Sequence, residues 1–385
     1  MMQTQTSRRS CAVLAAWVLV LAQPREAKAE NDLSYHYEEY REAGRITVRS
    51  QGAQAEQDLG TDMRVKIGGV IDSIAGATPT GEPAPAGSDQ VILSHLSDLR
   101  RAWNAEVSKQ LPRVNVALGF SRSVEHDYAS NGWSINTLTD FNQKNTTVLL
   151  GVAGTDDNVE VFFKPAWLRK VSNDVIAGVT QLIDPRTSVT ADLTWGRETG
   201  FLNDQYKLVE KDIQILPGIF LPETFAENRP NERTKVVAFL SVNRAFPGAK
   251  GALEASYRFY HDTYGISAHT LDLAWFQQLS DRVVLRLSVR PYQQDAAGFY
   301  HYRLNDTPLI PTRFPNPQGP FYSSDGRLSA LRSLDCGLKA VWTAAAWLQL
   351  GAEVSRYTQR GTDGVIPQSA YYRATVTSAS ARLSW

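Results

Sequence analysis

The carboxyl-terminal segment of this chain alternates strictly between small or apolar residues and polar ones. Trp385, Leu383, Ala381 and Ala379 fall on one side of an extended backbone, and Ser384, Arg382, Ser380 and Ser378 fall on the other. The same period of two recurs upstream. Leu253, Ala255, Tyr257 and Phe259 oppose Glu254, Ser256 and Arg258. Val283, Leu285, Leu287 and Val289 oppose Arg286, Ser288 and Arg290, and Leu348, Leu350, Ala352 and Val354 oppose Gln349, Gly351, Glu353 and Ser355. Val114–Phe120 and Val189–Trp195 repeat the pattern. Successive side chains of a strand point to opposite faces, so each segment reads as a strand with one apolar and one polar side.

The amino terminus reads differently. Arg8 and Arg9 precede the apolar stretch Cys11–Ala22, and Ala27-Lys28-Ala29 fits a small-x-small cleavage site before Glu30. At about 1.5 Å per residue that stretch reaches about 18 Å, short of a ~30 Å hydrocarbon core, so residues 1–29 are expected to be a cleaved export signal. Cys11 would leave with it. Cys336 alone then remains, which excludes an intramolecular disulfide and a thiolate metal cluster. The full chain carries 40 basic and 40 acidic residues. Losing Arg8, Arg9, Arg25, Lys28 and Glu26 leaves a slight acidic excess, and no nucleic-acid partner is implied.

Strands are expected near 62–74, 99–110, 113–127, 132–141, 145–155, 174–183, 187–199, 233–244, 251–263, 267–279, 283–295, 326–338, 343–357 and 371–385. Tight joints such as Asp184-Pro185-Arg186-Thr187, Pro247-Gly248-Ala249-Lys250 and Ser280-Asp281-Arg282 close hairpins at one end. Longer polar segments, near 75–98, 156–173, 200–232, 296–325 and 358–370, close them at the other. This asymmetry is the habit of a transmembrane antiparallel β-barrel, with short periplasmic turns and long extracellular loops. An even count of 14–16 strands follows. Tyr35–Arg49 either supplies a hairpin or lies in the periplasm, which divides the chain into 1–29, 30–60 and a barrel over 61–385. Ring closure is required because an open sheet edge in hydrocarbon costs several kcal/mol per unpaired backbone group. Proline and aromatic residues in 296–325, among them Phe299, Tyr300, Tyr302, Phe314, Phe321 and Tyr322, point to a loop packed on the rim. Pro165–Val171 is read as a short helical piece.

The terminal aromatic Trp385, with Leu383 two residues before it, resembles the signal that outer-membrane barrels present to their assembly machinery. Four phrases carry a second resemblance: Ser73–Gly81, Glu125-His126-Asp127-Tyr128, Phe141–Thr147 and Gly200–Val209. They are similar to the DUF3570 group of Gram-negative proteins, from about Tyr35 to the carboxyl terminus. The resemblance implies an outer-membrane barrel and implies no catalytic activity.

Candidate sites fall into two sets. His126 with Asp127, Asp156 with Asp157, and His261 with Asp262 end strands near the expected outer rim. A histidine facing an aspartate pair across a barrel mouth would be similar to the omptin surface proteases, where such groups activate water. Adjacent residues of one strand face opposite sides, so the plainer role is anchoring the rim. Asp192, Glu254, Arg258, Arg286, Arg290 and Glu353 lie on polar strand faces, where they form either an ion-pair network or a charged solute path. Trp195, Tyr257, Phe259, Trp275 and Trp385 suit an interfacial aromatic belt, and Trp342 and Trp347 suit its opposite edge. No nucleotide, haem or metal cofactor is implied. The expected partners are membrane lipid, the barrel-assembly machinery, and a small solute or an envelope protein. Solute passage is the leading functional reading, with a rim hydrolase and a surface adhesion or envelope-assembly protein as alternatives.

Overall fold

The computed structural model describes residues 31–163 and 166–385; the expected export signal over 1–29 lies outside them. Nine strands come first: β1 (Asp32–Glu42), β2 (Thr47–Leu59), β3 (Met63–Pro79), β4 (Leu93–Gln110), β5 (Val114–Val124), β6 (Tyr128–Phe141), β7 (Thr146–Glu160), β8 (Trp167–Asp184) and β9 (Thr187–Gly200). A separate hairpin follows, β10 (Leu208–Leu216) and β11 (Ile219–Ala226). The remaining strands are β12 (Glu232–Phe246), β13 (Gly251–Asp262), β14 (Ser267–Ser280), β15 (Val283–Gln294), β16 (Leu331–Ala345), β17 (Leu348–Gly361) and β18 (Arg373–Ser384). All except β10 and β11 join one closed antiparallel barrel of sixteen strands.

Closure occurs between the first strand and the last. β1 pairs with β18 from Asp32↔Ser384 to Glu42↔Ala374. Asn31 and Trp385 exchange backbone hydrogen bonds at 3.3 and 3.1 Å. Arg382 Nε donates to Asp32 Oδ1 at 2.9 Å, and Ser384 Oγ donates to the same oxygen at 2.6 Å. The aromatic terminus therefore sits on the seam itself.

Alternation governs the wall. Leu118, Leu150, Leu193 and Leu287 are each more than half exposed, because they point away from the ring. Their strand neighbours Gly119, Gly151, Asp192 and Ser288 point inward. Apolar side chains outside and polar ones inside reverse the arrangement of a soluble core, and they suit a bilayer around a wet lumen. No helix among the described residues is long and apolar enough to cross a membrane.

One alternative is decided, one expectation changes and one loop gains structure. Residues 35–49 supply a hairpin of the wall through β1 and β2, one of the two placements their pattern allowed, and bring the ring to sixteen strands. They were hard to place because the outward row Tyr35, Tyr37, Glu39, Arg41 passes from aromatic to charged. The short helix expected over Pro165–Val171 is replaced from Trp167 onward by β8, in which Trp167 and Arg169 continue the outward alternation of Val175 and Val179. The long loop expected over 200–232 carries the β10–β11 hairpin, which turns at Pro217-Gly218 with Gly218 at φ +78°.

The joints at the two ends differ in length, and the long loop expected over 156–173 is mostly taken up by the ends of β7 and β8. Residues 60–62, 111–113, 142–145, 185–186, 247–250, 281–282 and 346–347 close one end. Residues 80–92, 201–231, 295–330 and 362–372 cross the other, together with the β7–β8 link and the shorter links 43–46, 125–127 and 263–266.

Proline at Ala379, whose Cα pairs with Tyr37 on one side and Ala352 on the other, tests the seam. Ala379→Pro removes a backbone donor inside the closed ring. It is expected to abolish the compact, heat-modifiable form on cold denaturing gels, whereas Ala379→Val retains that form.

Candidate functional site

The four long loops and the β7–β8 link fold together into a cap. Leu208 N donates to Thr80 O at 2.9 Å, joining 201–231 to 80–92. Asn228 and Tyr322 exchange backbone bonds at 2.9 and 2.8 Å, joining 201–231 to 295–330. Thr362 N donates to Ala330 O at 3.0 Å, and Val91 N donates to Ser369 Oγ at 3.2 Å. Phe163 lies between Phe201, 6.3 Å away, and Phe314, 5.7 Å away, which brings in the β7–β8 link.

Apolar burial in this protein concentrates here rather than in the barrel. Tyr322 is fully buried with Val209 and Leu304. Tyr300 and Tyr302 pack on the cluster of Leu331, Ile366 and Tyr371. Phe299 meets Tyr264 edge to face at 4.9 Å. The aromatic residues of the fourth loop thus pack on the rim and on neighbouring loops.

An ionic latch crosses the cap. Arg229 Nη2 donates to Glu227 Oε2 at 2.9 Å and to Asp325 Oδ2 at 2.8 Å. Ser323 Oγ donates to Glu227 Oε2 at 2.6 Å. Arg327 Nε donates to Asp325 Oδ2 at 2.8 Å, and its Nη2 reaches Asp204. Glu227 and Asp325 are both almost completely buried. Burial pushes the Glu227 carboxyl up to about 7, against the pull of Arg229. Burial also opposes the charge of Asp325, but Arg327 and Arg229 outweigh it and hold that carboxyl below its usual range. Burial lowers Lys207, whose Nζ donates to Pro79 O at 2.5 Å. None of these residues stood out in the sequence, because Glu227 and Ser323 are 96 positions apart. The signal available was charge within two proline-rich loops, at Glu227-Asn228-Arg229 and Asp325-Gly326-Arg327.

Beneath the cap the inner wall is charged. Arg286 and Glu353 lie 3.8 Å apart, with Lys339 3.5 Å from the same glutamate. Arg290 is 3.5 Å from Asp272. Lys235 bridges Asp174 at 3.3 Å and Glu198 at 3.0 Å. Glu254 and Arg258 also face inward, as does Asp192, which borders Gly178. A recess of about 310 Å³ opens along β4–β8, lined by Asn104, Glu106, Ser121, Ser134, Thr155 and Asp174 among others. Gly132 makes room there, since a Cβ at that position would approach Ser121 Oγ to 2.5 Å.

The rim residues proposed for hydrolysis do not converge. His126 is exposed in the turn after β5, and its backbone N donates to Asp98 Oδ1 at 3.3 Å. Asp127 is buried and accepts from Gln205 Nε2 at 2.7 Å and Tyr206 Oη at 2.5 Å. Asp156 faces outward and binds Arg169 through both oxygens at 2.8 and 2.7 Å. Asp157 faces inward, is buried, and accepts from Tyr128 Oη at 2.5 Å. His261 is outward on β13, its Nδ1 3.0 Å from Ser267 Oγ, while Asp262 is buried against Arg233 at 2.5 Å. Period two separates Asp156 from Asp157 and His261 from Asp262, whereas His126 and Asp127 lie in the turn between β5 and β6. The carboxylates of Asp98, Glu125 and Asp127 come within 4.8 Å of one another, and burial followed by Asp98 raises the Glu125 carboxyl.

The DUF3570 family model, described as a protein of unknown function, matches residues 7–174 and 163–379. The chain belongs to the DUF3570 family. No curated protein matches it by sequence. Among solved structures, one described as a bacterial polysaccharide outer membrane secretin aligns with a TM-score of 0.51 at 8% identity, covering 92% of this chain and 98% of that one. CdiB from Acinetobacter baumannii aligns with the same TM-score and identity, covering 92% of this chain and 60% of its own. Such low identity establishes the fold alone. A closed sixteen-stranded ring with an apolar exterior is an outer-membrane wall, and this member of the family is an outer-membrane protein.

A carboxyl whose folded pKa exceeds its unfolded value binds more protons when folded. The contribution of Glu227 is therefore complete below its ordinary value of 4.5 and is lost as pH rises through about 7. Asp325 acts oppositely, but only below its ordinary 3.8. Hydrogen exchange in 201–231, corrected for intrinsic rates, is expected to slow between about pH 8 and pH 5.5, and Glu227→Gln should flatten that change. Arg229→Met leaves two buried carboxylates without their shared partner and is expected to loosen the cap by about 3–5 kcal/mol in the same measurement.

Proposed function

We propose that this protein passes small polar solutes across the outer membrane through its lumen, with the packed loops forming a lid. The observation that carries this reading is a charged inner wall with a solute-sized recess beneath a folded cap. Barrels of this strand number commonly enclose an aqueous channel. Asp192, Glu254, Arg258, Arg286, Arg290 and Glu353 would line the path, and the recess around Glu106 would hold a solute in transit.

On this reading the long loops face outside and the short turns face the periplasm. Residues 1–29 act as the cleaved export signal, and Leu383 and Trp385 present the assembly signal. Lipid surrounds the wall. A rim hydrolase would need a histidine and its carboxylates close together on one face; His126 lies in a rim turn, Asp157 faces inward, and Asp156 and His261, although both outward, stand on β7 and β13.

One observation favours a second role. The tip of the β10–β11 hairpin exposes Leu216, Phe220 and Leu221, each more than half accessible. An apolar tip held beyond the membrane suits contact with another envelope protein.

Planar-bilayer recording tests the transport reading. The wild-type protein is expected to give stepwise currents. Arg286→Glu should shift selectivity several-fold toward cations, and Arg229→Met should raise the open fraction. Absence of current from both the wild type and the loosened-lid variant would overturn solute passage.

A further inference from the structure

Arg332, Arg356, Arg360, Arg373 and Arg41 crowd one sector of the outer wall, on β16, β17, β18 and β1. Arg332 lies directly opposite Arg360. Arg356 is opposite Thr375, which is opposite Arg41. Arg373 is opposite Thr358, two positions from both Arg356 and Arg360. Cross-strand partners share a side, and Leu334, Leu338 and Val354 of the same alternation are exposed on the outside. All five arginines face out and are exposed.

Among the described residues none of the five forms an ion pair, and Arg356 Nη1 donates to Thr375 Oγ1 at 2.8 Å. The outward faces of these four strands carry one carboxylate, Glu39, and it holds Arg49 at 2.9 Å. The opposite sector is arranged differently. There Arg169 is matched by Asp156 at 2.7 Å and Arg197 by Glu232 at 2.8 Å. Like charges placed directly across a strand pair destabilise it, so Arg332 against Arg360 calls for an anion from outside the chain.

Position narrows the anion. Arg332 and Arg360 stand beside the loops 295–330 and 362–372, with exposed Leu334, Leu338 and Val354 following toward the other end. This is the level at which a barrel wall leaves hydrocarbon and meets headgroups. Guanidinium forks match phosphate oxygens in paired hydrogen bonds. We propose that this sector binds the phosphate-bearing headgroup of a membrane lipid, whose acyl chains lie along Leu334, Leu338 and Val354. The inference stands independently of whether the lumen conducts.

Native mass spectrometry of the full protein in detergent tests it, with phosphatidic acid and phosphatidylcholine of identical acyl chains as probes. The wild type should retain phosphatidic acid preferentially. R332Q/R360Q should weaken that binding roughly tenfold, and R332K/R360K should weaken it less. Inorganic phosphate should not displace the lipid. Equal retention of the two lipids, or unchanged affinity in R332Q/R360Q, would overturn the proposal. Displacement by inorganic phosphate at low concentration would instead make this a free-anion site and overturn the lipid assignment. Should R332Q/R360Q not fold, the wild-type comparison of the two lipids and the single variant R360Q decide.

Discussion

The pairing of β1 with β18 is the constraint on which the remaining structure depends. In water an unpaired strand edge can bond to solvent. In hydrocarbon it cannot, and every open N–H and C=O would carry its full desolvation penalty. The register from Asp32↔Ser384 to Glu42↔Ala374 satisfies both edges at once. Arg382 and Ser384 on Asp32 pin that register from the inward side. With the ring closed, each strand has a defined inside and outside, and the outward rows of leucine, valine and tryptophan can meet lipid without exposing backbone.

Closure also leaves the barrel without a conventional core. The apolar packing that a soluble protein places between sheets is found instead among the loops, around Tyr322, Leu304, Val209 and Tyr371. The cap is therefore a small folded body set over a tube with a charged inner wall. Its centre is ionic, and Glu227 and Asp325 share Arg229 in near-complete burial. A buried pair of this kind contributes little net stability, yet it tolerates the loss of a partner poorly. The outer wall shows a different arrangement, with Arg332, Arg356, Arg360, Arg373 and Arg41 forming no ion pair among the described residues, while Arg169 and Arg197 are each held by a carboxylate.

Much of the wall was legible before any coordinates. β13, β15 and β17 each carry one apolar and one polar row over most of their length, as a strand set between two unlike media does. β1 and β2 were ambiguous because their outward row ends in Glu39 and Arg41. Proline and a bulky aromatic close together suit a loop-borne helix over Pro165–Val171, and only pairing with β7 draws Trp167 onward into β8. The inward placement of Arg286 and Glu353 followed from alternation, but their partnership with Lys339 did not.

Sequence alone determined the period, the polarity of each face, the asymmetry of the joints and the family, because these are local properties of consecutive residues. Tertiary structure decided which strands meet at the seam, that residues 201–231 and 295–330 interlock through Glu227, Arg229, Asp325 and Arg327, and that His126 falls in the β5–β6 turn while His261 lies on β13. Those outcomes depend on residues distant in the chain arriving at the same height of one ring. Height is set by strand register, and register is a property of pairs of segments that neither segment encodes by itself.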